Sequence, residues 1–336
     1  MRTKILALLF IATIWGCGDV PRSPAPPEQP TDDEGAVQLE GAEVSAALDG
    51  TLESAAFTTP NVFERLALMW DAPVAGALEL RASLDDGSWT AWQAPIEVFA
   101  EDGSFAGHID LPQGAQHFQF RALGAEAVPT WVTFVTLDTI PVPVDSLQPS
   151  ADEEEEVADD AAPDRGGAVT IHSRASWGAR QPKCVTAMTP YRATVHHTVT
   201  PTNDPDSPEQ RLRAIQAFHM DSLGWCDIGY NYLVSRDGRV WMGRGKNHLG
   251  AHVMDHNAGN VGISFMGTYS STKITQTQRC HAAALLRYLH AHNPAIALTR
   301  SDIKGHRQYN STECPGNALY GQLNGLVALA HDGGCN

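Results

Sequence analysis

The chain has 336 residues, too many for one ordinary compact core, so two domains are the starting expectation. Its charge is divided. Residues 18–167 hold 29 acidic against 5 basic side chains, a net of −24, and residues 168–336 hold 16 basic against 10 acidic, a net of +6. The basic half suits an anionic polymer steered by long-range charge, but no stacking motif accompanies it, which argues against nucleic acid.

In chain order, Arg2 and Lys4 precede the apolar run ILALLFIATIW, which is too short to span a bilayer and stay there. Residues 1–17 therefore read as an export signal, and no other stretch is apolar and long enough to cross a membrane. Ile14-Trp15-Gly16-Cys17 resembles a bacterial lipobox, with Trp15 an unusual residue at its place. That motif implies a lipidated Cys17 and a membrane-anchored lipoprotein facing the periplasm or the cell exterior. A plain signal peptide with an incidental cysteine is the alternative. Residues 18–45 carry Pro21, Pro24, Pro26, Pro27 and Pro30 among acidic residues; such a stretch cannot bury a core and reads as a tether.

Over residues 46–140 the texture becomes short runs of period two, among them Ala77-Leu78-Glu79-Leu80-Arg81-Ala82 and His117-Phe118-Gln119-Phe120-Arg121. Asp86-Gly87, Asp102-Gly103 and Gln113-Gly114 punctuate them as turns, and the expectation is a small all-β sandwich of unknown role. Trp70, Trp89, Trp92 and Trp131 are of the type that lines sugar-binding faces, yet tryptophans in a small β domain more often fill the core, which is the reading taken. Residues 141–167, with Glu153-Glu154-Glu155-Glu156, repel themselves and read as a disordered linker.

From residue 168 to 336 the pattern is α/β: a mixed central sheet flanked by helices. Ala193-Thr194-Val195-His196-His197 predicts a strand. Ser207-Pro208-Glu209-Gln210 supplies an N-cap, a proline at the first helical position and a capping-box Gln, opening a helix that runs to Gly224. Leu212, Ile215 and Phe218 fall on one face of it, which should pack on the sheet. Tyr230 to Val234 and Arg239 to Met242 form a hairpin across Asp237-Gly238, and Val261 to Met266 is apolar enough for a central strand. Thr275 and Gln278 make a second capping box on a helix that ends before Asn293-Pro294, and a last helix occupies about Ala318 to Ala330.

Three residues of this half are of the types a catalytic zinc uses: His196 near a strand end, His306 in Gly305-His306-Arg307, and Cys314 ahead of Pro315-Gly316. Three protein ligands would leave one tetrahedral position for water, whose pKa falls towards roughly 7 on the metal. Histidine is common here, however, with twelve of the chain's fourteen in this half, so residue types alone leave an ordinary structural role equally open. The Pro-Gly turn after Cys314 favours the metal, because a tight turn holds a thiolate still.

A longer set of segments closes the gap. Arg174-Ala175-Ser176-Trp177-Gly178-Ala179-Arg180, Val195-His196-His197-Thr198, Gly229-Tyr230-Asn231-Tyr232-Leu233-Val234, Gly250-Ala251-His252, Gly305-His306-Arg307 and Cys314-Pro315-Gly316 occur in order. Over about Ser173 to Ala330 the chain resembles the peptidoglycan recognition proteins and type-2 N-acetylmuramoyl-L-alanine amidases. The resemblance implies zinc on His196, His306 and Cys314, and hydrolysis of the amide between N-acetylmuramic acid and L-alanine in peptidoglycan. Members that only bind peptidoglycan typically lack the cysteine, so Cys314 implies an enzyme rather than the alternative, a non-catalytic wall sensor or tether. It implies a catalytic role for Tyr230, as donor to a developing oxyanion, and a supporting polar one for Thr312. Ser264 stands where other type-2 amidases have a glutamate base. His197 and His252 are left as either groove residues or ordinary packing, and Arg244 as either a substrate contact or a structural one. The family further implies a Cys184–Cys226 disulfide, leaving Cys280 with Cys335 by elimination. A monomer is expected.

Overall fold

The computed structural model describes residues 37–39, 52–72, 78–85, 87–101, 104–124, 129, 131–137, 169–333 and 335. The signal segment, Cys17 and its lipidation, and the linker over 141–167 lie outside the described residues.

The C-terminal half is built on a six-stranded sheet. Strands β7 (Ile171–His172), β8 (Arg192–His197), β9 (Tyr232–Val234), β10 (Val240–Met242), β11 (Asn260–Phe265) and β12 (Ile303–Gly305) lie in the order β12-β8-β11-β9-β10-β7. β12, β8, β11 and β9 are mutually parallel and β10 is antiparallel to β9, so the sheet is mixed, with the expected hairpin at its β9–β10 turn. Helices α2 (Gln276–His292) and α3 (Asn317–His331) cover one face. Ala193 and Val195 of β8 and Val261, Ile263 and Phe265 of β11 point into that core. Because side chains alternate along a strand, His196 of β8 and Ser264 of β11 face the opposite side, paired in register. That side is bounded by α1 (Pro208–Ala217), continued by a π turn over Phe218–Ser222. The capping box of Thr275 and Gln278 forms in full, and Ser207 caps α1 through the Gln210 amide. Disulfides join Cys184 to Cys226 and Cys280 to Cys335, as expected.

The described residues of the N-terminal half are all β, and their strands are hydrogen-bonded along one antiparallel path. β1 (Val37–Leu39), β2 (Phe57–Asp71), β3 (Leu78–Ser83), β4 (Ile96–Glu101), β5 (Ser104–Ala122) and β6 (Trp131–Leu137) run in the order β1-β6-β2-β5-β3, with β4 on β5. Register shifts on either side of Phe63 interrupt the long β2–β5 pairing, and such bulges bend a sheet. Val37–Leu39, within the stretch read as a tether, pairs with β6, and the rest of residues 18–45 lies outside the described residues.

Leu66, Leu68 and Trp70 of β2, with Val132 and Phe134 of β6, fill the core of this sheet. The intervening Ala67 and Met69, with Ala106 of β5 and Trp131, Val135 and Leu137 of β6, point the other way and share a second core with Leu212, Ile215, Phe218 and Leu223. Helix α1 is therefore covered on both sides. The amphipathic helix expected from spacing buries Gln210, Arg211 and Ala214 as well, because the β sheet sits on its outer face. Arg211, with 0% exposure, is the polar centre of this contact. Its guanidinium donates to Asp204 (2.6 Å), Asp206 (2.7 Å) and Ser104 Oγ (2.8 Å), lies 3.4 Å from Asp71 and sits 4.9 Å over the Trp131 ring. Gln210 turns its side-chain amide to the Glu101 carbonyl (3.1 Å), so the residue expected to close a capping box bridges to the other sheet instead.

Of the four tryptophans expected in the core, Trp70 and Trp131 are buried, whereas Trp89 and Trp92 are only partly buried and lie against arginines. Trp70 is in the core and Trp131 at the contact with α1. Trp92 has the guanidinium groups of Arg81 and Arg121 over its ring at 4.4 and 4.5 Å, and Trp89 has Arg81 at 5.1 Å.

Candidate metal centre

His196, His306 and Cys314, from three distant segments, converge so that one potential ligand atom of each lies within 4.8 Å of the others. Cys314 Sγ is 3.6 Å from His196 Nδ1, and the His196 and His306 rings are 4.6 Å apart at their centroids. Each arrives by a local device. β8 ends just past His196, and β12 delivers His306 at the start of a 3₁₀ turn. The loop bearing Cys314 is fixed from both sides: Arg307 N–H donates to the Cys314 carbonyl (3.0 Å), and Thr312 Oγ1 accepts from the Cys314 amide (3.2 Å). Gly316 has φ 85°, and a Cβ there would stand 2.3 Å from the Tyr269 backbone, so only glycine lets this loop close.

Hydrogen bonding decides which imidazole nitrogen is available. The Asn260 carbonyl can only accept, so His252 Nε2–H donates to it at 3.0 Å. Burial pushes the His252 pKa down to about 3, so the ring is neutral and its Nδ1 accepts from His196 Nε2–H, 3.0 Å away. His196 is then left with a lone pair on Nδ1, the atom that faces the Cys314 sulfur. Burial, then the neighbouring His306, holds His196 itself well below the usual imidazole range, so it too is neutral. His306 is pushed down to about 4 by burial, and its Nε2 lies 3.2 Å from Asn310 Oδ1, which leaves Nδ1 unprotonated. Two neutral imidazoles and a buried thiol form a donor set that fits zinc, and a ligand histidine anchored through its second nitrogen fits it further.

His252 is one of the residues that the sequence left undecided, and a signal for it was present. Gly262 sits inside a central strand, where glycine is unfavourable unless something approaches the backbone closely. A Cβ on Gly262 would meet His252 Cδ2 at 2.6 Å, and one on Gly250 would meet it at 2.4 Å. The two glycines make room for the ring.

The remaining candidates separate clearly. Tyr230 is half-exposed beside the cluster, its ring 5.4 Å from that of His196. Thr312 spends its hydroxyl on the Cys314 amide. Ser264 is fully buried, and its hydroxyl finds no hydrogen-bond partner among the described residues. Arg244 donates to the carbonyls of Ile228 (2.8 Å), Leu249 (2.8 Å) and Asp227 (3.3 Å), a structural role. His197 is buried and accepts from the Tyr269 amide at 3.2 Å.

This is the architecture of a peptidoglycan-recognising or peptidoglycan-cleaving domain, and similarity to known proteins agrees. Residues 186–317 match the family of N-acetylmuramoyl-L-alanine amidases. Peptidoglycan-recognition protein SC2 of Drosophila melanogaster is 40% identical over 164 residues, covering 46% of this chain and 85% of that protein. The human N-acetylmuramoyl-L-alanine amidase is 35% identical over 170 residues, covering 47% of this chain and 28% of that protein. A solved structure of Drosophila PGRP-LB is 32% identical, with a TM-score of 0.43 over 46% of this chain and 92% of that one. The chain belongs to the peptidoglycan recognition protein and type-2 amidase family.

Proposed function

We propose that this protein is a zinc-dependent N-acetylmuramoyl-L-alanine amidase that frees stem peptides from the glycan of peptidoglycan. The observation that carries the reading is Cys314, buried and grouped with His196 and His306 as a third ligand atom. A bound zinc ion would lower the pKa of a water and polarise the scissile carbonyl. The protein's own residues do the rest. His252 holds the His196 proton at Nε2, Asn310 holds that of His306, and Thr312 keeps the Cys314 loop closed. Tyr230 stands half-exposed beside His196, where its hydroxyl can donate to an oxyanion as charge develops. No carboxylate replaces Ser264, so proton transfer leans on Tyr230 or on solvent.

The two disulfides support export to an oxidising compartment, and no helix among the described residues is long and apolar enough to cross a membrane. Anchoring through a lipidated Cys17 is part of the same proposal, as is a monomeric state.

The test is metal content and turnover together. Zinc-loaded protein should release peptides from purified sacculi with glycan strands intact, lose that activity to a chelator and regain it with zinc. Cys314→Ala should reduce bound zinc from about one equivalent to near none and abolish release. Sacculi that bind but stay uncut by a zinc-loaded chain would leave a wall sensor instead.

A further inference from the structure

The sheet docks on the C-terminal half through a titratable group as well as through apolar ones. Along β5, Phe105 and Ile109 turn into the sheet's own core and Ala106 into the shared one, so alternation puts His108 and Asp110 on the docking face. Arg65 stands on the same face of β2, two residues before Ala67 and in register with Asp110. β2, β4 and β5 all pack against the π turn over Phe218–Ser222. His108 is buried there, in register with Ala67 on one side and Ile96 on the other, and its Nδ1 has no hydrogen-bond partner among the described residues.

The charges that face this ring are already paired. Asp110 accepts from the Arg65 guanidinium at 2.6 and 2.9 Å, and the same guanidinium donates to the Ser222 carbonyl of the π turn at 3.0 Å. Asp221, the acid of the π turn, lies 2.7 Å from Arg180 and 3.6 Å from Lys183. On β4, Glu101 pairs with Arg213 of α1, and Glu97 is exposed. A neutral imidazole fits such a place. A protonated one would add a second cation beside Arg65 and a buried Nδ1–H with nothing to accept it, and both are costly away from water. Burial first, and then Arg65, holds the His108 pKa below the ordinary imidazole value, against the opposing pull of Asp110 and Asp221.

We propose that His108 is an acid-sensitive latch: the β sheet stays seated on α1 and the π turn while the imidazole is neutral, and protonation loosens it, uncovering Leu212, Ile215, Phe218 and Leu223. The sign follows from linkage. Because the docked ring takes up its proton less readily than the released one, its contribution to docking is complete above about pH 6.5 and is lost as the pH falls from there towards the lowered docked value.

Hydrogen exchange of the α1 and π-turn amides in the full chain, corrected for the intrinsic exchange rate, reads the opening at about pH 7.5 and about pH 5.5. Opening should be up to about tenfold more frequent at the lower pH in the wild-type chain, and His108→Gln, neutral at both, should lose that ratio. The other histidines are common to both chains, so the comparison isolates this ring. Arg65→Met weakens docking at both pH values but frees Asp110 for the imidazole, so acid should no longer open the interface; this keeps the test decisive if the Gln variant does not fold. Equal opening at the two pH values in the wild-type chain, or an acid-to-neutral ratio that survives in a folded variant, overturns the latch.

Discussion

Strands β11 and β6 are both buried along their whole length, yet their second faces are unlike. β11 turns Val261, Ile263 and Phe265 into the core under α2 and α3, and its other face carries Asn260, Gly262 and Ser264. β6 turns Val132 and Phe134 into its own core, and its other face carries Trp131, Thr133, Val135 and Leu137. A buried face of small and polar residues makes room for a neighbouring ring and its hydrogen bonds, and here it adjoins the candidate metal site. A buried apolar face needs a cover, and β6 finds it on α1 of the other half. The N-terminal sheet is docked on the C-terminal domain through this shared core.

The strongest way to break the docking side of that comparison is Arg211→Leu. It leaves Asp71, Asp204 and Asp206 facing one another without their cation, and should cost about 3–5 kcal/mol in urea unfolding of the full chain. A loss below about 1 kcal/mol would mean that apolar contact alone seats the sheet. The site side is probed by His252→Ala, which removes the acceptor for His196 Nε2–H and should weaken zinc binding by about 10–100-fold in competition with a chromophoric chelator. Unchanged affinity would make the ring a space-filler between two glycines. The smallest effect belongs to the rim pair Arg213–Glu101, 2.5 Å apart and about one-third exposed on each partner. A double-mutant cycle should give less than about 1 kcal/mol and vanish in high salt.

Much of the site was legible in order along the chain, but through the resemblance of ordered segments to a known family, since the residue types and the tight turn after Cys314 left an ordinary structural role equally open. His196, His306 and Cys314 could be named without coordinates, and so could the cap at Ser207 and the box at Thr275. His252 was only half legible: its glycine neighbours announce a close approach but not what approaches.

What the sequence by itself determined was local: strand and helix periods, caps, the hairpin at Asp237-Gly238 and the identity of the chemistry-bearing residues. Only the tertiary structure decided that α1 is buried on both sides, that Gln210 bonds to Glu101 rather than back to its own cap, and that Met69 and Val135 line one small cavity with Tyr230. The physical reason is that a hydrophobic period says which face leaves water but not which surface covers it. A hydrogen bond between residues 109 positions apart leaves no mark on the residues around either partner.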